Sequence, residues 1–364
     1  MTYQDAESKA VAAIKKAIPS SLKQDMILAS KGMFAELYQN DEVFPNHYCA
    51  CAIDGVGTKL ILAEAMGIYD TVGIDCVAMS ANDLATLGKV SPFLFMDYLA
   101  CQSKIQEEAI SGDIIKGMSK GLEMCDSSSI LHNSIRMNFG KGETASVEEL
   151  ISSTRPGYGF DIAGAMIGFV EKKTLKMEAL AGDAIIALPS SGAHSNGYTD
   201  LRHHLLKGDF EPRPEFRKKY RGRFKLDENA DGMPIGKTLL EPTRIYVKDV
   251  ARIAKDFPIA GINNTGYGLK NLNRLPGNIQ FVIDDPIGPH PIFTLMQKES
   301  KFSDEQMYSS FNMGMGFFII ARKDDADAIL KLSKGAKVVG RVEKSAKKGT
   351  ILMKGGKKMF FEGY

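Results

Sequence analysis

Residues 49–102 decide the reading, and their centre is Asp54-Gly55-Val56-Gly57-Thr58-Lys59. The apolar run 48–53 ahead of it predicts a buried strand that stops at Asp54. Gly55 and Gly57 then remove Cβ atoms and let the backbone come close to a ligand, and a helical pattern resumes over 60–66. Strand, glycine turn, the hydroxyl of Thr58, the ammonium of Lys59 and a helix start suit a bound phosphate. Asp54 would repel a bare phosphate, so its place in the turn asks for a divalent cation between the two. The spacing is not the GxxxxGK[ST] of a Walker A loop. A plain turn, with Asp54 capping the helix and Lys59 in solvent, is the competing reading.

The residues that follow favour the first. Over 74–88 the apolar positions recur with helical period, which sends Ile74, Val77, Ala78, Ala81, Leu84 and Ala85 toward a core. Asp75 and Asn82 are seven residues apart and share a face, with Asp83 beside them. Residues 92–100 read as a second apolar strand. Acidic and amide groups set between two buried strands are costly unless paired or bound to metal.

Composition sets the outer limits. A chain of 364 residues, 44% hydrophobic, can bury two ordinary cores, so two domains are expected. A net charge of +2 gives no reason to expect nucleic acid or an anionic membrane as partner. Five cysteines without framework spacing read as free thiols of a reducing cytoplasm, with Cys49 and Cys51 as small core residues of one strand face. No apolar run reaches bilayer length and the first residues lack a signal-peptide pattern.

Outside the centre, 6–18 reads as a helix, and Lys31-Gly32 as a loop or a lid carrying a cation. A long amphipathic helix is expected over 105–125 and strands over 128–131 and 158–170. Between them lies a second glycine turn, 139–145, carrying Glu143. The polar stop at 171–173 marks a boundary between domains 1–172 and 173–364. The second opens with a strand over 183–188, then Ser190-Ser191-Gly192-Ala193-His194-Ser195-Asn196-Gly197-Tyr198 and a helix over 199–206. That glycine- and hydroxyl-rich turn is a cradle for an anion or polar ligand; His194 within it is either catalytic or structural. Residues 208–232 are a charged insertion whose basic run, 217–223, is flanked by acids and reads as a solvated face. Residues 241–246 begin a helix, and 263–269 form a third glycine turn. Core strands follow at 317–321 and 336–342, with a surface hairpin over 344–364. Each half combines strand, glycine turn and helix, so the fold class is α+β, with one helix-covered sheet per domain.

Several blocks occur in order: DGVGTK (54–59), GIDCVAMSANDLATLG (73–88), DYLA (97–100), GETA (142–145), DIAG (161–164), SSGAHSNGY (190–198), EPTRIYVK (241–248), TGYG (265–268) and FNMGMG (311–316). Together they resemble the phosphoribosylformylglycinamidine cyclo-ligase family. The resemblance implies ATP-dependent closure of formylglycinamidine ribonucleotide to aminoimidazole ribonucleotide in purine biosynthesis. It also implies a homodimer whose N-terminal sheets build a shared β-barrel, an N-terminal domain for ATP and metal, and a C-terminal domain for substrate. It makes Asp54, Asp83 and Glu143 the magnesium residues, and adds Gly55, Gly57, Thr58, Lys59 and Asn82 for ATP. His194 becomes a proton shuttle or oxyanion donor; Ser191, Gly192, Ser195, Asn196, Thr265, Gly266 and Gly268 would meet the substrate. The chain departs from the family pattern at 29–34, where a glycine-rich segment is usual, and at 140–146, where the family's GGETAEMPG is Gly140-Lys141-GETAS, with Ser146 for the second acid and no MPG after it. Sibling ATP users of the superfamily, selenophosphate synthetase or thiamine-phosphate kinase, and a nucleotide-binding subunit without turnover are the alternatives. No cysteine precedes Cys49 to serve selenium chemistry.

Overall fold

The computed structural model of the chain describes residues 13, 14, 16–230 and 232–363. Most of the helix expected over 6–18 lies outside these residues. Two sheets organise the rest. The first comprises β1 (Glu36–Tyr38), β2 (His47–Gly55), β3 (Val90–Cys101), β4 (Asn138–Phe139), β5 (Glu143–Ser146) and β6 (Phe160–Glu171). Its order is β1-β2-β6-β3, antiparallel, with β4 and β5 both parallel to β3 along its free edge.

Alternation along β6 turns Phe160, Ile162, Gly164, Met166, Gly168 and Val170 inward. The helices Asp70–Ala85 and Ile110–Cys125 pack over that inner side and cross where side chains vanish. A Cβ on Gly73 would stand 2.1 Å from the Ile114 carbonyl oxygen, and one on Gly117 1.9 Å from that of Asp70. Of the stripe read from the sequence, Val77, Ala78, Ala81, Leu84 and Ala85 are buried and Ile74 is half-buried. The opposite side of the sheet is open: Ile53 is 75% exposed, and Phe93 and Tyr98 are exposed too. Cys49 and Cys51 alternate with buried Ala50 and Ala52, so they lie half-buried on this open face and not in the core.

The second sheet opens with β7 (Ala184–Pro189); a two-residue ribbon of β8 (Asn229–Ala230) and β9 (Met233–Pro234) stands apart from it. It continues with β10 (Ala260–Asn263), β11 (Ile279–Ile283), β12 (Met315–Ala321), β13 (Lys337–Lys344), β14 (Gly349–Lys354) and β15 (Lys357–Phe361). The order is β10-β12-β7-β13-β11-β14-β15. Every residue of β12 is buried, as a central strand covered on both faces requires.

Four local readings change. Residues 128–131 form one helical turn, Ser128–Leu131, because the Ser127 carbonyl accepts the N–H groups of Ile130 and Leu131. The expected helix over 105–125 breaks at Ala109, whose φ is +55°, into Ser103–Glu107 and Ile110–Cys125. Within the expected hairpin 344–364, β14 and β15 do pair as one, but β14 also pairs in parallel with β11, so the hairpin extends the core sheet. The charged insertion packs through buried Tyr220, Phe224 and Ala230.

Candidate functional site

A cleft of about 750 Å³ opens between the halves. Asp54, Gly55, Val56, Gly57 and Thr58 form one wall with Met79 and Asp83 of the helix Asp70–Ala85. Ser195, Asn196, Gly197, Tyr198, Thr199 and Asp200 form the other, closed by Thr265, Gly266, Tyr267, Arg274, Ser310 and Phe34. Gly57 holds φ +72° with nothing within 4 Å of where a Cβ would lie, so the turn faces open space. Across the cleft Thr58 and Thr199 hydroxyls are 3.5 Å apart. A Cβ on Gly266 would lie 3.3 Å from the Asn196 amide oxygen, so this turn lies close against its neighbour. Asp54, Gly55, Gly57, Thr58, Asp83, Ser195, Asn196, Thr265 and Gly266 are thus brought together from distant parts of the chain.

Asp83 stands out electrostatically. Burial, reinforced by the nearby charge of Asp54, pushes its carboxyl up to about 7, while a 2.8 Å bond from the Asn263 amide pulls the other way. Arg274 brings a cation to the same cleft and stacks 4.2 Å over the Phe34 ring.

Lys59 does something other than the expected phosphate contact. Its ammonium is fully buried, 2.7 Å from Asp75 Oδ2, and donates to the carbonyls of Glu241 (2.7 Å) and His194 (3.1 Å). Asp75 Oδ1 accepts the Thr243 N–H at 2.7 Å and its hydroxyl at 2.6 Å. Asn82 donates to the Arg244 carbonyl at 2.9 Å and accepts the Tyr246 N–H at 2.8 Å. Lys59, Asp75 and Asn82 therefore latch the first half onto residues 241–246 of the second. With these groups bound, the segment stays out of the helix, and Val247–Ala254 starts late. Asn82, placed beside ATP by the resemblance, is part of this latch and does not line the cleft.

His194 is likewise turned inward. It is buried at φ +60°, its Nε2 accepts the Ser191 N–H at 3.4 Å, and its ring meets Tyr246 at 6.0 Å. Burial, with Lys59 and Arg244 nearby, holds its imidazole down at about 3. A neutral ring that does not line the cleft does not suit the expected proton shuttle; of the two expected roles it keeps the N–H that an oxyanion donor needs, within the turn that carries Ser195 and Asn196. Ser191 donates to the Pro242 carbonyl at 2.6 Å and the Gly192 carbonyl accepts from Asn312 at 2.9 Å; neither lines this cleft, and Ser191 instead lines a cavity of about 340 Å³ with Glu241 and His290. Gly268, at φ +52° with the Tyr308 carbonyl 2.0 Å from a Cβ, starts the 3-10 segment Gly268–Arg274.

Glu143 does not join Asp54 and Asp83. It pairs with exposed Tyr98 and shares that residue's open side of the sheet, opposite the helices. Lys31 is exposed, in a segment tied down by the Gly32 carbonyl accepting from Arg274 at 3.3 Å. Sequence reasoning missed Arg274 and Asp97. Asp97 pairs with the same Gly164 as Asp54 does, two strands away on the inner face. Its Oδ1 is buried with no hydrogen-bond partner among the described residues, and burial raises its carboxyl. Alternation with buried Phe95 and Leu99 is the signal that could have found it.

Residues 38–170 match the family model of the AIR synthase related protein, N-terminal domain, and 181–352 that of its C-terminal domain. The architecture recurs in the thiamine monophosphate kinase of Aquifex aeolicus (15% identity, TM-score 0.57, 99% of each chain). It recurs too in hydrogenase maturation protein HypE in complex with ATP (14% identity, TM-score 0.55, 87% of this chain and 85% of that one). Fold and matched domains thus define an AIR synthase related, two-domain protein. The relatives are narrower: the phosphoribosylformylglycinamidine cyclo-ligase of Methanosarcina acetivorans is 37% identical over 83% of this chain and 82% of its own. That of Methanococcus maripaludis is 32% identical over the whole of both. The chain belongs to the phosphoribosylformylglycinamidine cyclo-ligase family, ligases that make aminoimidazole ribonucleotide in purine biosynthesis.

Proposed function

We propose that the cleft binds ATP as its magnesium complex beside formylglycinamidine ribonucleotide and transfers the terminal phosphoryl group to the substrate's amide oxygen. ADP leaves, the amidine nitrogen attacks the activated formyl carbon, and phosphate departs with that oxygen as the ring closes. An amide oxygen is a poor leaving group until phosphorylated, which is why ring closure consumes ATP. The observation that carries this reading is the meeting of Asp54 and Asp83 with an open glycine turn in one cleft.

The donors fit magnesium. Among the described residues no three acidic, imidazole or thiol groups could cage an ion. Magnesium is commonly held by one or two carboxylates plus phosphate oxygens, and Asp54 with Asp83 supply that set. Asp83, crowded by Asp54 and by burial, gains most from a nearby cation. When bound, magnesium screens the triphosphate and the charge developing in transfer. Arg274 takes the cationic part first given to Lys59, and Ser195, Asn196, Thr265 and Gly266 orient the substrate. A second copy covers the open face around Ile53, Phe93 and Tyr98, which brings Glu143 to the seam of the homodimer. The five cysteines, all free, suit a reducing cytoplasm. No helix among the described residues is long and apolar enough to cross a membrane.

Equilibrium binding of ATP with magnesium or with a chelator tests the reading. Wild-type protein should bind at least about tenfold more tightly with magnesium, and Asp54→Asn should abolish that difference. Equal affinity with and without magnesium would remove the metal from the site.

A further inference from the structure

A second cavity, of about 470 Å³, lies at the charged insertion and shares no lining residue with the cleft. His203, His204, Lys218, Lys219 and Arg221 line it, with no carboxylate among them. Asp200, on the same helix as His203 and His204, acts on His204 but does not line the cavity, and other acids around it are engaged. Glu211 holds Arg213 at 2.6 Å, Glu299 holds Arg223 at 3.0 Å, and Glu228 faces Lys207 at 3.7 Å. Glu215, on the same turn as Arg217, is exposed and is not part of the lining. Among the described residues Lys218, Lys219 and Arg221 ion-pair with no carboxylate.

The wall is rigid for a surface feature. His203 meets the Tyr220 ring edge-on at 5.0 Å, His204 meets Phe302 at 5.0 Å, and Lys219 stands 4.9 Å over Phe216. The Arg221 N–H donates to the His203 carbonyl at 2.7 Å, which fastens the insertion to the helix Tyr198–Leu205. Burial, together with Arg202, Lys219, His204 and Arg221, holds the His203 imidazole down at about 4. At neutral pH it therefore offers hydrogen bonds, and the fixed charge comes from the two lysines and Arg221.

From this geometry we propose that the cavity is a second binding site, for a small oligophosphate. Three uncompensated cations around a confined volume match a compact anion carrying several charges. A nucleic acid would need a basic track leading away from the cavity. The flanking Arg213 and Arg223 are instead neutralised by Glu211 and Glu299, so no such track leads away past those two residues.

Calorimetric titration of the full-length protein with inorganic tripolyphosphate tests this, using wild type and the variant Lys218→Ala/Lys219→Ala/Arg221→Ala. Wild type should bind, and the triple variant should lose at least about tenfold in affinity with turnover and melting temperature unchanged. Should that variant melt early, Lys218→Gln/Lys219→Gln supplies the same comparison with side-chain packing kept. Absence of binding to wild type, or affinity unchanged in a folded variant, overturns the proposal. So does displacement of tripolyphosphate by a lower concentration of single-stranded oligonucleotide of equal charge.

Discussion

Neighbouring stretches of sequence make Asp83 and Lys59 expected partners in one phosphate site, and the fold separates them. Asp83 keeps a carboxyl in the cleft whose proton is held up to about 7 by burial and Asp54. The folded state thus binds more protons than the unfolded one, so this group's contribution is full below pH ~4 and is lost as pH rises through 7. His194 has the opposite sign: held at about 3, it favours the unfolded state as pH falls below ~6.5. Asp83→Asn should therefore melt roughly 2–4 °C above wild type at pH 8, with the gap closing toward pH 4, while turnover is lost. Calorimetric scans at both pH values check it, and a gap independent of pH would contradict the assignment. Lys59→Met should cost roughly 3–5 kcal/mol by stranding the buried Asp75 carboxylate. A variant that melts normally but loses ATP affinity would return Lys59 to the phosphate. The sequence shows a residue's type but not its direction. Successive residues of the 3-10 turn Gly57–Lys59 point about 120° apart, so Thr58 faces the cleft while Lys59 turns to the core.

At the scale of elements, the strands and the helix Asp70–Ala85 were legible because their periods are local and strong. The latch was half legible: the seven-residue spacing of Asp75 and Asn82 gave one face, but their partners lie more than 160 residues away. Arg274 had no local signal, since it ends a 3-10 segment that only tertiary contacts bring to the cleft. Asp97 could have been read from alternation and was not, because its strand looked uniformly apolar. The turn before the helix Tyr198–Leu205 makes its own prediction. Gly197 sits at φ +71°, and a Cβ there would lie 2.3 Å from the Phe311 ring. Gly197→Ala should raise the KM for formylglycinamidine ribonucleotide and cost roughly 1–3 kcal/mol in stability. Steady-state kinetics with thermal melts decide it, and a variant equal to wild type in both would place the turn outside the site.

For the molecule as a whole, the first sheet leaves one face uncovered while the second is buried through its centre. A period of two told which residues share a strand face, but not that the face carrying Cys49, Cys51 and Ile53 looks outward. Ile53→Glu should convert the proposed homodimer to monomer in sedimentation velocity, and a dimer that persists would put the interface elsewhere. The central claim is that two carboxylates in the cleft between the halves serve an ATP-driven ring closure. Phosphate release from ATP, measured with and without formylglycinamidine ribonucleotide in wild type and Asp54→Asn, tests it most directly. Release should require the ribonucleotide, match product mole for mole, and fall at least about a hundredfold in the variant. Release that ignores the ribonucleotide, or that survives the loss of Asp54, would contradict it.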